Sequence, residues 1–360
     1  MIPVLHVITT ICRGGAENQL LTLIREQINN GRKVSLIFLK DKPELLEVLN
    51  KMGVEVHSEF AGLSPLAQVL KIRLFLNKKE ILVHGHLPRA ELISALARGN
   101  NSLVVTRHNA EKFFPLAPGF LSSALSRYVV RRSKSVIAIS QSVARFLEEQ
   151  RELPKNVRPE VIYYGYTPNS RARGIAELRA SLRIPVGAQV VGTVARLTAQ
   201  KDIPTLLRAF SELKSDGNLM LLIVGDGPLR DELHQMARSL GIWEHVIWAG
   251  RTSNVYDHLC LMDVFALTST YEGFGLVLLE ALEARLPVVA GNISAIPEVL
   301  GQSYPGLVTS GSYQAFANKI SEFLALDDEN MSMLEKIGQD RLIHFSALKM
   351  RQKVDDIYVN

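Results

Sequence analysis

At 360 residues the chain is long enough for two domains with full cores, and its 47% hydrophobic content suits a soluble α/β protein. No apolar run approaches a membrane-spanning length, residues 1–11 lead into a strand rather than a signal peptide, and two cysteines in separate halves exclude a disulfide framework or a cysteine metal cluster. The net charge of +5 is uneven: residues 1–165 carry 23 Lys and Arg against 14 Asp and Glu, net +9, and residues 166–360 carry 18 against 22, net −4, which implies different partners for the halves.

The first half alternates strand and helix. Strands are predicted over 4–9, 33–39, 82–86, 103–106 and 136–140, with helices near 16–29, 43–52, 64–77, 88–98 and 119–132. This alternation predicts a parallel sheet covered on both faces, with ligands at the carboxyl ends of its strands. The first strand runs into Gly14 and Gly15, then a long helical pattern. Glycines there let backbone N–H groups approach a phosphate, and they serve equally in a plain tight turn.

His84, His86 and His108 follow apolar strands. His84 and His86 could suggest a metal, but no third ligand has suitable spacing, so His86 and His108 are placed on loops facing a cleft. Phe113 and Phe114 then fall in a predicted loop, ahead of a helical stretch with Arg127, Arg131 and Arg132. Two readings stay open for this segment. Exposed aromatics beside basic residues suit an anionic membrane surface, whereas aromatics plugging the core would leave the cations on a solvated helix face. Nucleic acid is a weaker partner, because no stacking platform or recognised binding motif accompanies the charge. A last short strand leads to Tyr163–Asn169, which has the character of a hinge.

The second half opens another alternation, with strands over 189–195, 219–224, 246–249, 264–267, 288–290 and 306–308. Arg196 and Lys201 stand just beyond the first of these, a planar fork and a mobile point charge suited to a diphosphate. Gly225 and Gly227 flank Asp226 at the next strand-to-helix turn, where they either admit a nucleotide close to backbone or simply turn the chain.

The stretch 269–283 organises the rest. Glu272 precedes Gly273-Phe274-Gly275 at a strand-to-helix turn, whose outward N–H groups and helix dipole make a seat for an anion. Glu280 then interrupts an otherwise apolar helix roughly 7–8 Å further on, where a carboxylate is costly unless it accepts hydrogen bonds. Residues 350–358 read as a terminal helix.

The pair Glu272 and Glu280, eight positions apart across Gly-Phe-Gly and a Leu-rich helix, resembles the signature of glycosyltransferase family 4, retaining enzymes of the GT-B fold. Gly14-Gly15-Ala16-Glu17, Arg196-Leu197 with Lys201, and Gly225-Asp226-Gly227 match further motifs of that family in order, while Tyr164 and Ala195 stand where the family usually has Asn and Gly.

The resemblance implies two Rossmann-like domains with parallel sheets facing an interdomain cleft. Residues 1–165 with helix 345–360 crossing back would take the acceptor, and 166–344 the nucleotide sugar. It implies that Gly14, Gly15 and the Gly273-Phe274-Gly275 turn face the diphosphate, with Gly225 at the nucleotide. Arg196 and Lys201 would stabilise the leaving diphosphate. Glu272 and His108 would lie by the sugar, and Glu280 would hold the ribose.

The implied reaction moves a sugar from a nucleotide diphosphate sugar, UDP-linked, to a saccharide or lipid-linked acceptor in envelope polysaccharide or glycolipid assembly. No metal or other cofactor is required, and the setting is cytoplasmic or peripheral at the inner membrane face. Competing readings are a nucleotide-sugar epimerase of the same architecture and a non-catalytic nucleotide-binding module at a membrane assembly complex.

Overall fold

A computed structural model describes residues 1–12, 14–41, 43–168, 174–213 and 218–359. The chain divides into two compact units, Met1–Thr167 together with Phe345–Asn360, and Pro168–His344. The sequence puts the first boundary two residues earlier, at 165/166.

In the first unit the strands are β1 (Val4–Ile8), β2 (Val34–Phe38), β3 (Glu55–His57), β4 (Leu82–His86), β5 (Leu103–Arg107), β6 (Ser135–Ala138) and β7 (Glu160–Val161). They form one parallel sheet in the order β3-β2-β1-β4-β5-β6-β7. The helices between them are α1 (Gly15–Asn29), α2 (Leu46–Lys51), α3 (Pro65–Leu76), α4 (Pro88–Ala97), α5 (Gly119–Arg132) and α6 (Gln141–Glu149). Continuous apolar runs such as Val4–Ile8, buried at every position, are what a sheet covered on both faces demands.

Two elements escape the sequence pattern. β3 is three residues long, lies at the sheet edge and has too little apolar surface to register as a strand. α6 is concealed because the strand predicted over 136–140 ends at Ala138, and Ser140 becomes the helix cap, its hydroxyl accepting from the Val143 N–H at 3.1 Å.

The segment after β5 decides one open question. Phe113 is 1% exposed, with the Arg107 guanidinium 4.3 Å from its ring centre and its N–H donating to Glu152 at 2.7 Å. Phe113 therefore plugs the core and is not a membrane anchor, correcting that expectation. Half-buried Phe114 packs edge-on against it, and its N–H donates to Ser122. Arg127 donates to the Arg151 carbonyl, Arg132 is half-buried, and Arg131 is exposed.

The second unit carries β8 (Gln189–Val194), β9 (Leu219–Val224), β10 (Val246–Gly250), β11 (Val264–Leu267), β12 (Val288–Gly291) and β13 (Leu307–Val308). These also pair in parallel, in the order β10-β9-β8-β11-β12-β13. The direction of travel reverses between β8 and β11, and a crevice opens at the carboxyl ends of such a pair. Its helices are α7 (Ile175–Ser181), α8 (Ile203–Leu213), α9 (Arg230–Ser239), α10 (Val255–Leu259), α11 (Leu276–Glu283), α12 (Ile296–Leu300), α13 (Tyr313–Leu324) and α14 (Asp328–His344).

The last helix, α15 (Ala347–Val359), belongs to the first unit. Met350, Val354 and Tyr358 enter one apolar cluster with Val4, Leu23, Leu82, Val104, Ile137 and Ile162. Phe345 and Ala347 exchange backbone hydrogen bonds with Tyr166 as the chain arrives. Gly165 is obligatory at this approach: a Cβ on it would stand 2.6 Å from Ala347 Cα. Of the described residues, no helix is long and apolar enough to cross a membrane.

Candidate active site

At the switch point of the second unit, the turn after β8 and the turn after β11 are laced together. Thr270 N–H donates to the Gln200 carbonyl at 2.8 Å, the Gln200 amide donates to the Tyr271 carbonyl at 3.0 Å, and the Thr268 hydroxyl donates to the Lys201 carbonyl at 3.0 Å. This lacing brings Lys201 and Glu272 together although 71 residues separate them. Lys201 Nζ lies 2.5 Å from Glu272 Oε1, with only 8% of the glutamate side chain exposed. Ser269 donates to the same carboxylate oxygen at 2.7 Å, and Glu272 N–H donates to Ser294 Oγ at 2.8 Å.

Arg196 is exposed at the rim of the β8 turn. The predicted Gly225 lies at the neighbouring turn after β9, at φ +134°, and a Cβ there would meet Ala195 O at 1.9 Å. The glycine is thus demanded by the packing of one turn on the next, whatever binds nearby.

Gly275 caps α11 at φ +89°, and Gly273 stands half-exposed before it. Phe274 is 2% exposed, so its ring belongs to the core and only its backbone remains for a ligand. Glu280 is half-buried in the second turn of α11, and burial, reinforced by the neighbouring Glu283 charge, pushes its carboxyl up to about 7. A group in this state gains most from hydroxyl donors brought by a ligand.

The first unit holds the remaining predicted residues. Gly14 is the N-cap of α1, and the buried Glu17 carboxylate occupies the space beside it, accepting from the Thr10 hydroxyl at 2.8 Å. Gly15 opens α1, with nothing within 4 Å of where its Cβ would be.

His86 is the last residue of β4 and His108 the first after β5, and both are buried, 2% and 6% exposed, rather than set openly on loops facing a cleft. The fold also supplies the third histidine that spacing along the chain did not reveal, His6 on β1, directly across the sheet from His84. Ring nitrogens of His6, His84 and His86 lie within 4.8 Å of one another, the proximity a metal site requires. Those nitrogens are taken up by a hydrogen-bond chain. With the Gln27 oxygen turned to His6, Tyr164 O–H donates to His108, His108 to His86, His86 to His6 and His6 to Gln27, over 2.5, 3.1, 2.9 and 2.9 Å. The Gln27 amide continues to Tyr358, whose hydroxyl donates to His84 at 2.6 Å, and His84 donates to Thr106 at 2.7 Å.

Each imidazole in the chain must be neutral to accept at one nitrogen. Burial accordingly lowers His6 to about 4 and His108 to about 3, and lowers His84 and His86 well below the usual histidine range. A cavity of about 30 Å³, enough for a water, is lined by His86, His108, Thr106, Tyr164 and Gln19 among others.

Ser269, Ser294 and Gln200 are the positioning residues that sequence reasoning missed. Ser269 could have been suspected from its place three residues before Glu272. Ser294 and Gln200 had no signal, since each acts across the fold.

Residues 174–341 match the family model of glycosyl transferases group 1, and residues 13–170 match that of Glycosyltransferase Family 4. The chain is 25% identical over 282 residues to an N-acetyl-alpha-D-glucosaminyl L-malate synthase of Bacillus anthracis, covering 77% of this chain and 73% of that protein. It is 31% identical over 189 residues to the lipopolysaccharide core biosynthesis glycosyltransferase LpsE of Rhizobium meliloti, covering 52% of this chain and 53% of the other. Among solved structures, Anabaena HepE in complex with UDP superposes with a TM-score of 0.82 at 23% identity, covering 99% of this chain and all of the other. Sucrose-phosphate synthase from Thermosynechococcus elongatus gives 0.79 at 20% identity, over 99% of this chain and 98% of the other.

Two parallel Rossmann-like units with this site define a glycosyltransferase of the GT-B fold. The chain belongs to glycosyltransferase family 4.

Proposed function

We propose that the protein transfers a sugar from a nucleotide diphosphate sugar, UDP-linked, to a saccharide or lipid-linked acceptor of envelope polysaccharide or glycolipid assembly, with retention at the anomeric carbon. The observation that carries this is the Lys201–Glu272 pair at the β8/β11 switch point, with Arg196 exposed on the same β8 turn and the perturbed Glu280 on the helix that leaves it. Supporting the donor class, HepE has been solved with UDP-glucose. Supporting the acceptor class, LpsE is named for lipopolysaccharide core biosynthesis, and another relative is an alpha-monoglucosyldiacylglycerol synthase.

In this mechanism the diphosphate accepts hydrogen bonds from Arg196, from Lys201 and from N–H groups of the 273–275 turn at the head of α11. An ammonium has three donors, so Lys201 can keep Glu272 while it meets a phosphate oxygen. As the bond to the sugar breaks, these groups neutralise charge developing on the leaving phosphate, in place of a divalent metal. Glu272, held by Ser269 and Lys201, presents its carboxylate to the sugar, and Glu280 accepts from the ribose hydroxyls. The leaving phosphate takes the acceptor's proton on the same face, which retains configuration without a covalent intermediate. His108 performs no proton transfer in this scheme, because both of its ring nitrogens are held inside the first unit.

The test is a panel of nucleotide sugars, following binding and slow donor hydrolysis, with Lys201→Ala and Glu280→Ala alongside. One donor is expected to bind and be hydrolysed, with Lys201→Ala reducing turnover by about 10²–10³ and Glu280→Ala weakening binding. Indifference to both substitutions overturns the site. A changed sugar nucleotide formed without any acceptor would make the enzyme an epimerase, and an inverted product anomer would remove the retaining step.

A further inference from the structure

Strand order in the first unit reverses at β1: the chain runs outward through β2 to β3, then returns to lay β4 on the other side of β1. A crevice opens at the carboxyl ends of such a pair. Ile8 and His86 lie opposite one another as the last residues of β1 and β4, so Thr9 and Leu87 are where the two chains leave the sheet.

Leu87 stands at φ +71° and ψ 146°, costly backbone for a residue with a Cβ, and its side chain is held by packing against the cluster of Ile8, Ile11, Leu20 and Phe38. This bend starts α4 at the mouth of the crevice. Pro88 has no N–H, and the helix opens with a bond from Glu91 N–H to the Leu87 carbonyl at 3.0 Å, so the N–H groups of Arg89 and Ala90 precede the helix's own ladder.

Arg89 is the charged residue of this turn. It is half-buried, and Nη2 donates to Gln68 Oε1 at 3.0 Å. Gln68 is 0% exposed, and its own amide donates to the carbonyls of Leu39 at 2.7 Å and Phe60 at 2.9 Å. The guanidinium is thus steadied from behind by a group that is itself fixed. Among the described residues no carboxylate pairs with Arg89: Glu91, the next acid along α4, lies 2.8 Å from Arg107. Arg89 Nε–H is enclosed without a partner, and so is the Thr9 hydroxyl at the end of β1. A tie between α3 and α4 needs only a neutral donor, whereas a partly desolvated cation without a counter-charge is costly until an anion meets it.

We infer, resting on the transfer reaction proposed above, that Arg89 binds an oxyanion of the acceptor, a carboxylate or a phosphate, at the β1/β4 crevice of the first unit. The acceptor is then an acidic or a phosphorylated saccharide, and Arg89 selects it. A neutral hydroxyl fits this position less well, because it leaves the charge uncompensated, and the planar fork matches two oxygens of one group.

The experiment is an NMR titration of the full chain with glucuronate and with inorganic phosphate, glucose serving as the uncharged control. Beside the wild type stand Arg89→Gln, Arg89→Lys and Lys201→Ala. The wild type should bind at least one of the two anions and prefer it to glucose, glucuronate marking a carboxylate site and phosphate a phosphate site. Arg89→Gln should lose at least about tenfold in affinity for that anion, and Arg89→Lys should recover part of the loss by keeping the charge without the fork. Anion binding that Lys201→Ala abolishes and Arg89→Gln preserves belongs to the second unit and overturns the inference. Failure of both anions to bind the wild type overturns it too. Circular dichroism and UDP affinity of Arg89→Gln should match the wild type; a fall in UDP affinity with the fold intact would move Arg89 to the donor and overturn its assignment to the acceptor. A wild type that binds no UDP yet keeps Arg89-dependent anion binding would remove the transfer reaction while supporting the anion site.

Discussion

Glu280 links stability and ligand binding through one carboxyl. Its value in the folded chain is about 7 against 4.5 for the free group, so folding takes up a proton between those pH values, and stability falls as pH rises through that window. Glu280→Gln removes the ionisable group. The variant should therefore melt higher than the wild type at pH 8 and converge with it toward pH 5, as thermal unfolding at the two pH values will show. Nucleotide binding should run the other way: hydroxyl donors favour the carboxylate, so UDP affinity of the wild type should rise as pH climbs through 7, and Glu280→Gln should flatten that profile in calorimetric titrations. A profile unchanged by the substitution would separate Glu280 from the ligand. Arg107 is a structural counterpart, lying 2.8 Å from Glu91 and 3.1 Å from Glu152, all three buried. Arg107→Met would leave two carboxyls in the core without their cation, and the loss expected in urea unfolding is about 3–5 kcal/mol.

Among the elements, the segment between β5 and α5 shows how buried charge sets the course of a loop. Arg107 closes β5, Glu152 accepts from Phe113 N–H, and the Phe113 ring lies against the guanidinium, so a polar triad holds an apolar plug in place. Phe113→Ala should cost about 3–5 kcal/mol. Leu116→Ser, three residues along at a fully exposed position, should change stability by less than ~0.5 kcal/mol. Chemical denaturation of the two variants checks the contrast, and equal midpoints would place Phe113 outside the core. In the second unit the comparable device is the lacing of the β8 and β11 turns, which uses backbone and Gln200 rather than charge to bring Lys201 to Glu272.

For the whole molecule, the return of α15 means that the first unit is completed by the last residues of the chain. Met350, Val354 and Tyr358 fill the cluster around β1 and β4, and Tyr358 supplies a hydrogen bond to the buried His84. A chain ending at His344 should lose the first unit to proteolysis while the second unit, whose described core contains none of these residues, keeps its UDP affinity. Survival of both units under limited proteolysis would show that α15 is dispensable. The charge asymmetry follows the same division, the first half carrying net +9 and the second net −4.

The alternation of apolar runs and helical patterns determined two parallel α/β units, because strand burial and helix periodicity are local properties of the chain. The motifs around Glu272, Glu280, Arg196 and Lys201 were legible through their resemblance to the family's ordered motifs, because each is a short run of neighbouring residues at a strand end. Tertiary structure alone decided the partners. His6 and His84 meet through strand register, Lys201 and Glu272 through a switch in strand order, and Ser294 reaches Glu272 from the turn after the neighbouring strand β12. Phe113 could not be assigned to core or surface from sequence, since a loop aromatic beside cations has the same composition in both places. Leu66, Leu70 and Leu74 gave no sign of exposure either, because a helix apolar on two faces reads as a buried one until the neighbours that cover it are known.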